Sequence, residues 1–159
     1  MQPEQRLISA PLSGLSLDEY RAALLTRLTH SYEVHRSMDL LAAQIAAERR
    51  VLQLFGELQT DPARTRAIGF RHGSQPVGVA SFTLNPAEGH LFLWDILIHE
   101  PHRRMGFGTL AIAEVEHLAV EARLDRVQLS IEFGNEASAA FFSRIGYRFV
   151  AISALKPLI

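Results

Sequence analysis

Apolar residues recur at helical spacing in the first third of the chain. Residues 16–19 (SLDE) form a capping box, and the apolar positions after it keep a helical period through Tyr20, Leu24, Leu25 and Leu28. A second helix is predicted over residues 39–55, and the break after it falls at Asp61 and Pro62. Its core-facing side chains are predicted to be Leu40, Leu41, Ile45, Val51, Leu52 and Phe55. A short strand over residues 6–10 is predicted to precede both helices.

The pattern changes to strands in the middle of the chain. Residues 65–71 and 76–84 flank the turn HGSQ and predict a β-hairpin. A second turn follows at residues 85–89. The stretch LFLWDILI, residues 91–98, is almost wholly apolar, as expected for a central strand that is covered on both faces.

The last third alternates between helix and strand. An apolar stripe predicts a helix over residues 106–123, and alternating apolar residues predict a strand over 127–131. A short helix over 135–145 is predicted to stop at Gly146, a good left-handed cap, before a last strand over 147–154. The order β-α-α-β-β-β-α-β-α-β predicts an α/β fold, as a single domain over residues 1–159, with helices on both faces of a mixed sheet.

Composition narrows the classes of function. A net charge of −1 over 159 residues argues against a nucleic-acid or anionic membrane surface, and the absence of cysteine excludes thiolate chemistry. No signal pattern or membrane-length apolar run is visible, so a cytoplasmic protein is expected. No metal is expected either, because five histidines show no ligand spacing: His30, His35, His72, His90 and His117. The pair Arg49 and Arg50 predicts a solvated helix face.

The turn HRRMGFGT, residues 102–109, carries the strongest chemical signal. Gly106 and Gly108 let backbone N–H groups approach a ligand, and the start of the following helix adds a positive dipole end. Arg103 and Arg104 would add charge-assisted bonds to the same anion. This pattern favours a phosphate cradle over the alternative of a basic surface turn that contains glycines.

A dinucleotide site is an alternative for the same turn. GFGTLA fits the fingerprint G-x-G-x-x-A, and Glu132 ends the next predicted strand, where a ribose-binding acid belongs. However, the seven residues HEPHRRM separate the preceding strand from the motif. With a hairpin before the motif and only 50 residues after Thr109, a doubly wound parallel sheet cannot be assembled. We therefore disfavour this alternative.

The same turn resembles the pyrophosphate motif of the GNAT superfamily of acyl-CoA-dependent N-acetyltransferases, Arg/Gln-x-x-Gly-x-Gly/Ala. Arg103, Gly106 and Gly108 match it, and Ile98 matches the aliphatic residue that closes the preceding strand. The resemblance extends over nearly the whole chain. It implies a mixed, mostly antiparallel sheet of six or seven strands, in which the fourth and fifth strands run parallel.

A second motif of the same family is similar to NEASAAFFSRIGY. The family pattern is Asn-x-x-Ala-x-x-x-Tyr-x-x-x-Gly-Phe, and Asn135 and Gly146 match it at the right spacing. Ser138 stands for the alanine and Tyr147 for the phenylalanine. The tyrosine, which is the family's acid for the departing thiolate, is Phe142 here, so that we expect an apolar wall of the cofactor site.

The resemblance implies a set of cofactor contacts. Acetyl-CoA would be the co-substrate, and the backbone of Ile96, Leu97 and Ile98 would bond its pantetheine arm and polarise the thioester carbonyl. Asn135 would contact the far end of that arm. The pyrophosphate would be held by Arg103, Arg104, Met105, Gly106, Phe107, Gly108 and Thr109.

The group that handles protons is left open by the sequence. Some relatives carry a carboxylate where this chain has Trp94. Asp95 and His99 are candidate catalytic groups, although a structural, hydrogen-bonded Asp95 and a surface loop histidine are the alternatives. His102 could also transfer a proton, and Ser130 and Glu132 share the polar face of their strand.

The function predicted is direct acetyl transfer from acetyl-CoA to a primary amine. The acceptor could be a small amine, an aminoglycoside, a polyamine, a peptide N-terminus or a protein lysine, and a homodimer is compatible with the sequence. A non-catalytic acyl-CoA-binding regulatory module is the main alternative, and a dinucleotide-binding oxidoreductase is the remote one.

Overall fold

The computed structural model describes residues 6–154 and 156. Within them five strands form: β1 (Ile8–Pro11), β2 (Thr65–His72), β3 (Gln75–Asn85), β4 (His90–Ile98) and β5 (Arg126–Leu129). Four α-helices accompany the strands: α1 (Gly14–Arg36), α2 (Leu40–Thr60), α3 (Phe107–Glu121) and α4 (Glu136–Arg144). A single 3₁₀ turn, Glu100–His102, links β4 to the segment before α3.

The five strands form one sheet in the order β1-β2-β3-β4-β5. The first three pairings are antiparallel, and β4 and β5 run parallel. The β2–β3 hairpin turns at residues 73 and 74, as the sequence predicted. The predicted mixed, mostly antiparallel sheet with parallel fourth and fifth strands is confirmed.

Helices cover both faces of the sheet, and each strand directs side chains to both of these faces. On one face, Leu91 and Leu93 of β4 pack with Ile112 of α3 and Phe142 of α4. On the other face, apolar residues of α1 and α2 pack against the sheet at Ala67, Val79 and Trp94. The side chains of β4 therefore belong to two separate cores.

The prediction of six or seven strands was wrong for the described chain. Residues 147–154 form no strand, and Phe149, Val150 and Ile152 are exposed. The apolar pattern showed only that this segment could pair in a sheet. A strand needs a neighbour to satisfy its backbone groups, and none of the described strands pairs with this segment.

The start of the first long helix also differs from the prediction. It begins at Gly14 after the N-cap Ser13, so the SLDE box starts at the third residue of the helix and does not precede it. The hydroxyl of Ser16 donates to the carbonyl of Ser13 at 2.8 Å instead of capping a helix. The predicted start of α2 is confirmed, because Asp39 is its N-cap and accepts a bond from the Ala42 N–H.

The buried face of α2 is only partly the predicted one. Val51 and Phe55 are buried, but four of the predicted core residues are exposed: Leu40, Leu41, Ile45 and Leu52. The buried stripe instead begins with Ala43 and Ala47, which have no exposed area. These small side chains allow close approach to α1, where they pack with Tyr32, Leu25 and Leu28. A pattern based on large apolar residues therefore placed the face incorrectly.

Smaller shifts of element ends matter near the site. The strand β5 ends at Leu129, two residues before its predicted end at 131. The first strand lies at Ile8–Pro11 rather than 6–10, and α2 continues to Thr60. No helix in the described part of the chain is long and apolar enough to cross a membrane.

Candidate active site

The sheet opens where β5 ends and β4 continues. The last paired residues of the two strands are Leu93 and Leu129, and β4 extends to Ile98. On its other side β4 stays paired with β3, up to Ile98 opposite Gly78. The segment 94–98 therefore presents one unpaired edge, which we call the open edge of β4.

The pairing with β3 decides which backbone groups face this open edge. The N–H of His99 donates to the carbonyl of Val77 at 2.9 Å. Along an antiparallel pair, the backbone N–H and C=O groups of successive residues point alternately toward the partner strand and away from it. The backbone groups of Leu97 therefore also point toward β3, whereas those of Ile96 and Ile98 point toward the open edge. Arg103 occupies one of these groups, since its Nε donates to the carbonyl of Ile98 at 3.0 Å. The backbone N–H and C=O of Ile96 and the backbone N–H of Ile98 remain available for a ligand.

A bulge interrupts β4 beside the open edge. Leu93 pairs with Phe82 and Asp95 pairs with Ser81, so Trp94 is an extra residue in β4. An extra residue breaks the alternation of side chains. Trp94 and Asp95 both project to the α1/α2 face, where Trp94 packs in the core and Asp95 contacts α1. Nothing in the local sequence indicates this bulge.

The turn between β4 and α3 has a backbone geometry that suits an anion. Gly106 is the N-cap of α3 with φ of +86°, and no side chain caps the helix. A glycine allows this conformation, which L side chains rarely adopt. The side chains of Arg103, Arg104, Met105 and Thr109 are exposed. The first N–H groups of α3 and two arginines therefore lie together at the end of β4, as an anion site requires.

Two members of the turn serve the packing of α3. Phe107 is buried beside the rings of His72 and His102, at centroid distances of 5.3 and 6.1 Å. A Cβ atom at Gly108 would lie 3.3 Å from Phe141, so glycine allows α3 to approach α4. Only the backbone of these two residues is left for contact with a ligand.

Asp95 is held in a network on the α1/α2 face. Arg27 donates to both carboxylate oxygens, at 3.0 and 2.7 Å, and the hydroxyl of Tyr20 donates to one of them at 3.0 Å. Tyr20 also shares a hydrogen bond of 2.8 Å with Ser81. Burial, followed by the charge of Asp95, raises the pKa of Tyr20, so the phenol stays protonated. With both oxygens bonded, Asp95 is poorly placed to receive a proton.

His99 lies at the end of β4 in a cationic environment. It is half-buried, and burial lowers the pKa of its imidazole below the usual value of 6.5. The charges of His102, Arg27 and Arg103 act in the same direction. The neutral imidazole is therefore the main form at neutral pH, and a neutral imidazole can accept a proton.

Phe142 is part of the core. It is 6% exposed and makes edge contacts with Phe141 and Tyr147, at centroid distances of 5.1 and 5.2 Å. The hydroxyl of Tyr147 donates to Glu116 at 3.0 Å. Burial, together with that carboxylate, raises the pKa of Tyr147 above its usual value.

The remaining polar candidates are engaged in local structure. The side chain of Asn135 accepts a bond from the N–H of Ser138 at 3.2 Å and so caps α4. Glu132 accepts two bonds from Arg36, at 2.7 and 2.6 Å, and Ser130 is exposed. In the described chain no group of three His, Asp or Glu residues could hold a metal ion.

The sequence interpretation missed Arg50, which is half-buried and not on a solvated face. Its guanidinium lies 4.0 Å from the centroid of the Trp94 ring and 5.8 Å from that of Phe92. Such a contact joins α2 to the bulge in β4, and no local pattern could have revealed it. A separate groove of about 510 Å³ between α1 and α2 includes Arg21 and Leu52 but no residue of β4 or β5.

Residues 26–147 match the acetyltransferase (GNAT) family, whereas no curated protein sequence matches the chain. Among solved structures, YycN of Bacillus subtilis has a TM-score of 0.86 at 15% identity, over 97% of this chain and 99% of that one. The PaiA N-acetyltransferase of Thermoplasma acidophilum, in complex with coenzyme A, gives 0.66 at 12% identity over 93% of each chain. AAC(6')-Iy, in complex with the bisubstrate analogue CoA-S-monomethyl-acetylneamine, gives 0.61 at 15% identity over 96% and 97%.

These similarities agree with the geometry of the site. At such low identities the solved structures show a shared fold only. The family match goes further, because residues 26–147 include the open edge of β4, the turn at residues 103–109 and the start of α4. The chain belongs to the acetyltransferase (GNAT) family.

Proposed function

We propose that this protein transfers an acetyl group from acetyl-CoA to a primary amine by direct attack of the amine on the thioester. One observation carries the proposal: the open edge of β4 ends beside the uncapped start of α3, where a Cβ atom at Gly108 would lie 3.9 Å from the side chain of Ile98. An extended strand edge suits an amide-bearing arm, and an uncapped helix start with adjacent arginines suits a pyrophosphate. Coenzyme A carries both groups in one molecule.

In this proposal the backbone of β4 positions the donor. Ile96 and the N–H of Ile98 bond the pantetheine arm, and residues 103–109 hold the pyrophosphate. A backbone N–H of the open edge also bonds the thioester carbonyl oxygen, where negative charge develops as the amine attacks. The bound acetyl-CoA supplies the activated acyl group. The coenzyme A ligands of two structural neighbours support this choice of donor.

The amine must be neutral to attack the thioester. We assign to His99 the role of the base that accepts the proton of the amine. The lowered pKa of this imidazole keeps it neutral, and therefore able to accept a proton, at neutral pH. Asp95 has a positioning role, because its carboxylate ties the bulge of β4 to Arg27 and Tyr20. Phe142 gives no proton to the departing thiolate. A thiol with a pKa of about 8.5 is a tolerable leaving group even without a proton donor.

The proposal is tested by free-thiol release from acetyl-CoA with a panel of primary amines. Turnover with at least one amine is expected. Acetyl-CoA should raise Tm in the parent, while NADH should not, because only a ligand bound by the native state stabilises it. Arg103→Ala should weaken the shift, and Arg66→Ala, on the exposed side of β2, should not. Tight binding without turnover would favour a regulatory module, and a shift with NADH alone would favour a dinucleotide enzyme.

A further inference from the structure

Three arginines lie on the α1/α2 side of the open edge, and they differ in their partners. Arg27 is held by the carboxylate of Asp95 and Arg36 by that of Glu132, each through two hydrogen bonds. Within residues 6–154 and 156 no carboxylate lies within 4.0 Å of the Arg50 guanidinium. Arg50 is thus the member of the three whose charge is not neutralised by an ion pair.

The position of Arg50 is fixed beside the site of acetyl transfer. Its guanidinium stacks on Trp94, two residues before Ile96 of the open edge. The ring of Phe92 lies on the same side, and Phe92 is paired with Gln128 of β5, so the stack lies where the two strands begin to separate. Cation–π attraction holds the guanidinium over the Trp94 ring, and its N–H donors lie at the edges of the guanidinium plane.

The surroundings make this charge costly unless something compensates it. Burial lowers the pKa of Arg50, and the charge of Arg36 acts in the same direction. Tyr32, Glu132 and Glu57 oppose that shift. Glu132 is occupied by Arg36, and Glu57 lies against the hydroxyls of Thr65 and Thr83. Since an arginine stays charged in proteins, a half-buried guanidinium with free donors is ready to bind an anion.

We propose that Arg50 binds a carboxylate of the acceptor, and hence that the substrate is an amine carrying a carboxylate, such as an amino acid. This inference rests on the proposed acetyl transfer and names its acceptor class. A planar guanidinium matches a carboxylate with two parallel hydrogen bonds. One unneutralised cation also balances one negative charge, whereas polycationic amines would bring further positive charge beside Arg50.

The first test compares acids with their amides in turnover. Glycine, β-alanine and 4-aminobutyrate are each assayed against the corresponding amino amide, and at least one acid should exceed its amide by tenfold or more in kcat/KM. Arg50→Gln should lower kcat/KM for that acid by ten- to a hundredfold, mainly through KM, as expected for a lost charge-assisted bond. The ratio of kcat/KM for the acid to kcat/KM for its amide should therefore fall by tenfold or more. Arg50→Lys keeps the charge but cannot form two parallel hydrogen bonds, so its kcat/KM for the acid should lie between those of the parent and of Arg50→Gln.

The matched control is Arg21→Gln. Arg21 also stacks on an aromatic ring, Phe55 at 5.3 Å, but lies on the groove between α1 and α2. The Arg21→Gln variant should leave kcat/KM unchanged for both the acids and the amides. Equal use of acid and amide by the parent, with no effect of Arg50→Gln, would overturn the carboxylate site while the acetyl transfer stands.

A binding test needs no turnover and separates the two proposals. In the presence of coenzyme A, calorimetry compares N-acetyl-β-alanine with N-acetyl-β-alaninamide. The parent should bind the acid at least tenfold more tightly, and Arg50→Gln should remove the difference. If this holds while no amine is acetylated, the carboxylate site stands and the proposed enzymatic function fails. Equal binding of acid and amide by the parent would refute the site whatever the turnover shows.

Discussion

Arg27 and Asp95 are 68 positions apart in the chain, and the guanidinium of one forms two hydrogen bonds with the carboxylate of the other. The pair joins α1 to the bulge of β4, beside the backbone groups of Ile96. The side chain of Asp95 is 12% exposed and that of Arg27 is 33% exposed, so water screens the pair only in part. The shape of the open edge therefore depends on a contact with a helix on one face of the sheet.

Removal of the arginine should leave an uncompensated carboxylate. We expect Arg27→Met to lower the free energy of unfolding by about 2 kcal/mol, less than the 3–5 kcal/mol typical of a fully buried pair, because Arg27 is partly exposed. Urea denaturation measures the change. Asp61→Asn removes the charge from the exposed pair with Arg64 and keeps an Oδ1 acceptor for the Arg64 N–H, so it should cost less than about 1 kcal/mol. Equal losses in the two variants would show that the Arg27 pair is screened like a surface pair.

Gly106 should affect both stability and binding. A side chain at φ of +86° is strained, so Gly106→Ala should cost about 1–2 kcal/mol in unfolding free energy. It should also weaken acetyl-CoA binding at least tenfold, as measured by calorimetry. Gly146→Ala is the matched control, since Gly146 has φ of +99° at the end of α4. This variant should lose similar stability and keep its affinity, and a parallel loss of affinity would argue against the cradle.

His99 should give the reaction an acidic limit. Its folded pKa lies below the usual 6.5, so the unfolded chain binds more protons between the two values, and this group's contribution to stability falls as pH falls through that window. Catalysis through the neutral imidazole should decline over the same range. In His99→Gln, kcat/KM for an accepted amine should drop by about a hundredfold or more at pH 7, and the acidic limb of the profile should disappear. An unchanged profile would assign the limb to another group, with His102→Gln as the comparison.

Phe142 should behave as an apolar packing residue. Phe142→Leu keeps an apolar side chain, so turnover should fall by no more than tenfold, well short of the 10²–10⁴ associated with a lost acid. Phe142→Tyr should retain or raise kcat, because a phenol near the sulfur could protonate the thiolate. Steady-state thiol release measures both, and Tm reports the cost of a buried hydroxyl. A hundredfold loss in Phe142→Leu would mean that this ring positions the reacting groups.

Local patterns in the sequence determined much of the backbone around the proposed cofactor site. Three features depend on residues that are close together in the chain. They are the β2–β3 hairpin, the start of α3 at the glycine turn and the left-handed backbone conformation of Gly146. Their conformations follow from turn geometry and helix periodicity, which a short stretch of sequence contains. The resemblance of the glycine turn to the GNAT motif then predicted that β4 and β5 are parallel neighbours, with the turn at their end.

Contacts between distant segments decided the rest. The bulge at Trp94, the bonds of Arg27 to Asp95 and the stacking of Arg50 on Trp94 each join segments that no local period relates. The buried face of α2 was set by alanines against α1, and the apolar segment 147–154 formed no strand because a strand needs a neighbour as well as a pattern. The sequence alone therefore predicted the donor site that we propose. The groups proposed to bind the acceptor became visible only in the tertiary structure, because burial and charge compensation are properties of the packed chain.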